Sequence, residues 1–450
     1  MKILLPTLNS LSQALGTPVY VVGGYVRDHL LSQFARWDKE SAKRYNKYFL
    51  GLKPYDIDVV ADIDMKKAEK LLVAEGFKVS WINKEPGTIS TSVKGWDLKV
   101  ELTQTRSNQD RKVQGGPIEE DLMTRDFTIN AIAWNPGTGY IDPSDGRKDI
   151  KDGILRFVGH PRDRLDEDPR RWFRAYRFKY GLDLDFEMYT ALTLEQFPVV
   201  PRMKSKEISV ELAMTEIIKL WERKEAKIVE WGKEMYKLNV FQELWPEFAG
   251  SDKLMQNPEY HSEGDVLTHI LETTERAEPA DRIYVFHHDI GKPATAEWDE
   301  RGWYTFYRHG SVGKDLMTEV GKRLHLSNKV IEKCKMICYC HMKFPRVEEL
   351  KRKHIAKFQV KVGGDENLEL LYRCVKSDIG DRKSLPQKEL FEPLPPEETG
   401  VKLDISGLDL LTSGIPQGPE IGRRLNLVKE AILETGRLNR EEQLKIALGG

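Results

Sequence analysis

The stretch VYVVGGYVRD, residues 19–28, decides the reading of the first third of the chain. Val19 to Val22 are β-branched and aromatic and read as a strand. The paired glycines stop it, and a helical pattern begins at once. Gly23 and Gly24 allow a sharp turn that bares backbone N–H groups, and the N-terminus of the following helix adds a field that favours an anion. Arg27 offers fork-shaped charge to phosphate oxygens. Taken alone, a Gly-Gly turn is equally well only a turn, and it gains weight from the acids further along the chain.

Two later segments alternate acidic and apolar residues over strand-length windows: YDIDVVAD (55–62) and WDLKVELTQT (96–105). Residues two apart on a strand face one side. Asp56 and Asp58 thus bring two carboxylates to one face, where they repel unless a cation stands between them. Glu101 is a third acid on the later strand. Magnesium takes oxygen ligands and keeps room for substrate phosphates. Three acids on neighbouring strands can hold two such ions, one lowering the pKa of an attacking 3′-hydroxyl and one bracing a leaving pyrophosphate. A polar edge strand with solvated acids is the alternative reading. Between the first two strands, residues 36–48 form a polar, aromatic-spotted insert of helical character.

The chain has 450 residues, too many for one hydrophobic core, so several domains are expected. Hydrophobic content of 40% and charged content of 31% suit a helix-rich globular protein. No segment approaches the roughly 20 apolar residues of a membrane span. The start, MKILLPTLNS, is too short and polar for a secretory signal, which points to the cytoplasm. The net charge of −1 means that a nucleic-acid partner must meet local basic surface. RRWFRAYRFK (170–179) and KRKHIAK (351–357) are the candidates, though each is equally a solvated helix face. Cys334, Cys338 and Cys340 share the apolar segment IEKCKMICYCHM (331–342), and Cys374 stands apart. This is neither a disulfide framework nor a paired zinc pattern, and buried free thiols on a helix are expected.

Beyond Asp142 the spacing is helical, with few strand signals. In EDPRRWFR (167–174), acids before Pro169 suit a helix start, with proline at an early helical position. Arg171 and Arg174 then share a face one turn apart. An Asp accepts hydrogen bonds and an Arg only donates them. Asp168 beside Arg171 therefore complements an amino group next to a ring-nitrogen acceptor, the edge of cytosine and adenine. Guanine and uracil would leave buried groups unpaired, at about 1–3 kcal/mol each. A capped, salt-bridged helix start is the plainer alternative. A Pro- and Glu-rich linker, LPQKELFEPLPPEETG (385–400), precedes a tail with helical signals in ISGLDLL (405–411) and residues 418–436.

GGYVRD, DIDVV, GTISTSVKGWDLKVELTQTR and DLMTRDFTINAIAWNPGTGYIDPSDGRKDI resemble the head of the bacterial-type nucleotidyltransferase branch. That branch holds the CCA-adding tRNA nucleotidyltransferases and the bacterial poly(A) polymerases. The resemblance implies a polymerase β-like α/β head, with a small mixed sheet and helices on one side, and two Mg²⁺ ions. It matches Asp56 and Asp58 to the metal-binding pair, Glu101 to the third acid, and Gly23, Gly24 and Arg27 to the triphosphate site. Arg125 is implied at the phosphates, and Asp126 and Asn130 near the ribose. Thr124 stands where the family usually has Arg. EDPRRWFR resembles the family's base-selecting EDxxR motif, which implies that Asp168 and Arg171 choose the base, with Arg174 near the nucleotide. KSKEISVEL (204–212) resembles the next motif, thought to steady the neck.

His269, His288-Asp289 and Asp378 stand in the order His…His-Asp…Asp and resemble the HD phosphohydrolase superfamily. HSEGDVLTHI (261–270), FHHDIGKP (286–293), His309 and His341 fall where that fold has them. Such a donor set suits a divalent ion such as Ni²⁺ or Mn²⁺ and implies phosphatase or phosphodiesterase chemistry. A scaffold that only helps to hold tRNA is the alternative. His287 and His288 cannot both face one metal from a regular helix.

The expected fold class is α+β and multidomain. A nucleotidyltransferase head spans 1–141, a helical neck 142–215, a helical body 216–260, an HD domain 261–385, and linker and tail 386–450. The expected reaction joins CTP, twice, and then ATP to a tRNA end, without a nucleic-acid template. The acceptor–TΨC arm would be gripped by shape and backbone. The histidine-rich region, the tail, and the lack of an extended basic C-terminus favour CCA addition over poly(A) addition. A phosphohydrolase with an RNA-binding head is the third reading. Monomer and dimer both remain open.

Overall fold

The computed structural model describes residues 4–37, 56–83, 87–92, 99–107, 115–259, 261, 263–349, 354, 355, 358, 361–380, 386, 403–435 and 438–449. All but the first two residues of the 36–48 insert and most of the 351–357 and 385–400 segments therefore lie outside the described residues. The chain divides into two compact units, Met1–Val240 and Phe241–Gly450.

The first unit is built on a seven-stranded sheet. Its strands are β1 (Tyr20–Val22), β2 (Asp56–Ala61), β3 (Lys78–Asn83), β4 (Thr88–Ser92), β5 (Lys99–Gln104), β6 (Ala133–Asn135) and β7 (Gly139–Ile141). The spatial order is β3-β4-β5-β2-β1-β6-β7. Only β2 and β5 run parallel, with Asp58 opposite Glu101; the other neighbours are antiparallel. In β2, Ile57 and Val59 are buried while Asp58 is exposed, so alternation sets the carboxylate opposite the core face. Helices α1 (Leu5–Leu15), α2 (Gly24–Trp37) and α3 (Met65–Ala74) accompany the sheet. Leu8, Leu11 and Leu15 of α1 and Ala68 and Leu72 of α3 are buried, at the i, i+3, i+4 spacing of an amphipathic helix. The sequence signals marked β1, β2 and β5. Strands β3 and β4 carry a polar pattern that periodicity does not separate from loop, and they gain their status by pairing beside β5.

α4 (Ile118–Met123) lies between β5 and β6, and past β7 come α5 (Gly146–Asp152), α6 (Pro161–Glu167), α7 (Arg171–Leu182) and α8 (Val210–Trp221). The region is helical except for a two-residue parallel pair, Ile154–Leu155 with Asp185–Phe186. The expected helix start at Glu167 is corrected. Glu167 ends α6, Asp168 is its extended C-cap, and Arg170 is the N-cap of α7. The residue before a proline is driven out of helical space, so Pro169 separates two helices.

In the second unit, α9 (Val266–Arg276), α10 (Arg282–His287), α11 (His309–Arg323), α12 (Asn328–Cys340) and α13 (Asp365–Ile379) surround a core that includes Val285, Ile337, Phe344, Leu371 and Val375. A short hairpin, Glu297–Trp298 with Tyr304–Thr305, precedes α11. All four cysteines are free and buried, and burial pushes their thiols above the ordinary range. The tail helices Gly407–Thr412, Pro419–Thr435 and Arg440–Leu448 close around Leu410, Val428 and Ala447. Among the described residues, no helix is long and apolar enough to cross a membrane.

Candidate functional site

The turn between β1 and α2 meets the β2 carboxylate. Gly23 has φ 70°, and a Cβ there would stand 3.6 Å from Asp58 Oδ2 and 3.5 Å from Arg125 Nη1. The glycine thus serves both its left-handed backbone and the close approach of an acid and a base. Asp56 opens β2 opposite Lys99, but its side chain lies outside the described residues. Glu101 stands opposite Asp58, and its Oε1 accepts from Lys99 Nζ at 2.9 Å.

Behind the turn runs a buried polar relay. Arg27, 6% exposed, donates from Nη1 to Asn130 Oδ1 at 2.7 Å and from Nε to Asp28 Oδ1 at 2.8 Å. Its guanidinium lies 5.0 Å from the Phe178 ring centre. Asn130 Nδ2 donates to Asp126 Oδ1 at 3.0 Å, and Arg174 donates from Nε and Nη2 to Asp126 Oδ2 at 2.8 and 2.5 Å. Burial alone would raise the Asp126 pKa. The Arg174 charge, the Asn130 amide and the Phe127 N–H outweigh it and bring it down to about 2. The folded value lies below the ordinary 3.8, so the stabilisation is present above about pH 4 and lost as pH falls toward 2. Asp126→Asn is expected to cost about 2 kcal/mol at pH 7 and little at pH 2, measured as the pH dependence of unfolding.

A cavity of about 410 Å³ opens beside this relay. Five arginines (Arg106, Arg125, Arg170, Arg171, Arg174) and five acids (Asp58, Asp121, Asp126, Asp168, Glu216) line it. Arg106, Asp121 and Glu216 are among them, although no role was assigned to them from the sequence. Arg125 donates to Asp121 Oδ2 from Nε and Nη2 at 3.1 and 2.9 Å. Thr124, where the family usually has arginine, also lines the cavity. It is buried, and its hydroxyl donates to Asp121 O at 2.7 Å.

Asp168, Arg171 and Arg174 line the same cavity; the Arg171 backbone N–H donates to Asp168 O at 3.0 Å, while their side chains take other partners. Asp168 accepts from Arg170 Nε and Nη2 at 2.6 and 2.8 Å. Arg171 Nη1 donates to Glu167 Oε2 at 2.7 Å and Arg164 O at 2.8 Å. The two side chains expected side by side thus share one cavity, each held by its own neighbour, Asp168 by Arg170 and Arg171 by Glu167. The basic run 170–179 is largely neutralised within the unit. Arg174 binds Asp126, Arg177 binds Glu216 of α8, and Lys179 binds Glu234.

In the second unit, α9, α10 and α13 bring His269, His288, Asp289 and Asp378 together. His269 Nε2 lies 3.2 Å from both Asp289 Oδ2 and Asp378 Oδ1. His288 Nε2 lies 3.1 Å from Asp289 Oδ2 and 3.7 Å from Asp378 Oδ1. Burial alone would lower the His288 pKa, but the Asp289 and Asp378 carboxylates hold it up at about 10. The same burial, without a carboxylate beside it, takes the neighbouring His287 down to about 4. Both nitrogens of His287 are taken: Nδ1 is 2.7 Å from Ile283 O, and Trp245 Nε1 donates to its Nε2 at 3.0 Å. His309 and His341, to which no role was assigned from the sequence, close on Asp289 from its other side, at 3.2 and 3.3 Å from Oδ1.

Residues 19–156 match the Poly A polymerase head domain family. The chain is 28% identical over 381 residues to the Multifunctional CCA protein of Neisseria gonorrhoeae (strain NCCP11945), covering 82% of this chain and 85% of that protein. It is 25% identical over 446 residues to the Multifunctional CCA protein of Xanthomonas campestris pv. campestris (strain B100), covering 94% and 100%. Its fold is similar to that of the Bacillus stearothermophilus CCA-adding enzyme in complex with CTP, with a TM-score of 0.59, 22% identity, and coverage of 98% and 95%. The Thermotoga maritima CCA-adding enzyme complexed with tRNA gives a TM-score of 0.51 at 23% identity, with coverage of 99% and 94%.

Proposed function

We propose that this chain, a member of the nucleotidyltransferase family that shares the poly A polymerase head, adds C, C and A to tRNA 3′ ends from CTP and ATP. The observation that carries the reading is the meeting of Asp58, the Gly23 turn and Arg125 at the mouth of a cavity that also holds Asp168 and Arg171. Five arginines and five acids line that cavity, so its formal charges cancel. A nucleoside triphosphate, with about four negative charges, then needs divalent cations as well as arginine. Asp56, Asp58 and Glu101 are the residues to hold two Mg²⁺ ions, which supply charge neutralisation and a more acidic 3′-hydroxyl. Gly23 and Gly24 admit the triphosphate closely, and Arg27 and Arg125 position it. The Asp126–Asn130 pair faces the ribose, held rigid by Arg27 and Arg174. Asp168 and Arg171 select the base.

One assay tests the reading. A tRNA ending before CCA is incubated with magnesium and each nucleoside triphosphate, alone and mixed. Addition that stops after three nucleotides is the expected result. Long adenosine tracts would assign poly(A) addition instead.

The second unit supports a further activity, hydrolysis of small phosphoesters at a metal centre. Orphaned buried atoms favour it: His269 Nε2 and His288 Nε2 make no hydrogen bond of acceptable geometry, although carboxylates stand close to both. Buried polar atoms without partners are costly, and nitrogens and oxygens that converge on one point suit a cation such as Ni²⁺ or Mn²⁺. When bound, such an ion polarises a phosphate and activates water. Chelation is expected to abolish release of phosphate from a small ester and to leave the fold of the head unchanged, as read by phosphate release and circular dichroism.

A further inference from the structure

A chain with a net charge of −1 must meet RNA through local basic surface, and the run 170–179 is largely neutralised within its own unit. Three lysines of the second unit are not. We propose that Lys314, Lys343 and Lys361, gathered around Tyr339, form a docking site for the phosphate backbone of RNA. The inference rests on the reading of the chain as one that acts on tRNA, and it adds a contact surface on the second unit.

The three come from separate elements. Lys314 lies on α11, Lys343 just past the end of α12, and Lys361 shortly before α13. Their ammonium nitrogens stand 5.3, 3.6 and 5.7 Å from the centre of the Tyr339 ring. Lys343 reaches the ring from four positions further on, the spacing of neighbours along a helical face. A tyrosine ring attracts cations within about 6 Å of its centre. All three lysines are exposed and Tyr339 is half-buried, so the charges face solvent over an aromatic floor.

Neighbouring lysines show what is different here. Lys322 of α11 and Lys333 and Lys335 of α12 pair with Glu319, Glu366 and Glu332, at 3.0, 2.5 and 2.9 Å. Among the described residues, no carboxylate stands within ion-pair distance of Lys314, Lys343 or Lys361. Two adjacent groups feel the unbalanced charge. The hydrogen bond from Lys343, aided by the charges of Lys343 and Lys361, outweighs burial and holds the Tyr339 phenol below its ordinary range. Burial pushes the Cys340 thiol up to about 11, against the pull of all three ammoniums. Like charges brought to one ring repel, and an anion among them relieves the repulsion. Exposed point charges on flexible stems suit the repeating phosphates of a backbone, which carry no sequence information.

The site is separate from the metal centre proposed above. Tyr339 and His341 stand two positions apart at the end of α12, and two residues turn a helix by about 200°. His341 points inward, 3.3 Å from Asp289 Oδ1, while Tyr339 and its lysines take the opposite side. Loss of the lysines therefore leaves the buried histidines in place.

The test uses the full chain and a tRNA ending before CCA. Affinity is measured at several salt concentrations for wild type, for the triple variant Lys314→Gln, Lys343→Gln, Lys361→Gln, and for Lys322→Gln, an exposed but paired lysine of α11. The triple variant is expected to bind at least about 10-fold more weakly, with the slope of log affinity against log salt reduced by about 2–3. Its KM for tRNA should rise, while its KM for CTP and its release of phosphate from a small ester stay at the wild-type values. In wild type, bound tRNA should shield the three lysines from an amine-acylating reagent, as read by mass spectrometry. That measurement needs no variant to fold, and equal labelling with and without tRNA overturns the proposal. An unchanged salt slope in the triple variant, or an equal loss of affinity in Lys322→Gln, also overturns it. A raised KM for the small ester with tRNA affinity intact would assign the lysines to a free phosphate compound instead. A wild type that binds no tRNA at all removes both this site and the reading beneath it.

Discussion

Asp58→Ala is expected to reduce nucleotide addition to tRNA by at least about 10³-fold, a loss of about 4 kcal/mol in transition-state stabilisation. The size of the effect comes from placement. Asp58 projects from the exposed side of β2 into the cavity, beside the turn where a triphosphate can approach bare backbone. Its strand neighbours Ile57 and Val59 stay in the core, so the substitution removes charge without opening the sheet. Release of phosphate from small esters by the second unit should persist in Asp58→Ala and vanish in His288→Ala, which in turn should still extend tRNA. Primer-extension gels and a phosphate-release assay on the same preparations read both. Equal loss of both activities in either variant would refute two separate centres.

Asp168→Ala is expected to weaken the choice of C and A over U and G by about 10–100-fold, while addition of some nucleotide continues. Losing one acceptor removes the unpaired-group penalty of about 1–3 kcal/mol that a wrong base incurs. The Asp168 carboxylate is held by Arg170, which must yield when a base arrives. Arg170 is half exposed, with its side chain 51% accessible, so the pair is worth at most about 1 kcal/mol and gives way readily. Arg171, 13% exposed and anchored on Glu167 and Arg164, is the more firmly held half of the proposed reading edge. Arg171→Ala should therefore raise the KM for both CTP and ATP more than Arg170→Ala does. Misincorporation kinetics with single nucleoside triphosphates check both statements, and unchanged selectivity in Asp168→Ala would remove this carboxylate from base choice.

Much of the head was legible because its signals are local. A β-prone run ended by paired glycines, and acids two apart on a strand, are properties of neighbouring residues, and they placed β1, β2, β5 and the start of α2. Helical spacing likewise marked α7, α8 and the tail. The polar strands β3 and β4 were not legible, since they carry no apolar alternation and become strands only by pairing with each other and with β5. Pro169 shows a local rule misapplied: it reads as opening a helix, whereas its effect on Asp168 ends the one before.

By itself the sequence determined which residue types were available at which spacing: the Gly-Gly turn, the DID strand, the EDPRR segment and the ordered histidines. These arise from backbone preferences and periodicity, which act over a few residues. Tertiary structure alone decided which polar groups face one another. It set Arg27 against Asn130 across 103 positions, gave Asp126 to Arg174 across 48, and turned His309 and His341 onto the second oxygen of Asp289. The physical reason is that a buried polar atom must find a partner, and its partner is whichever group the packed helices and strands deliver within about 3 Å.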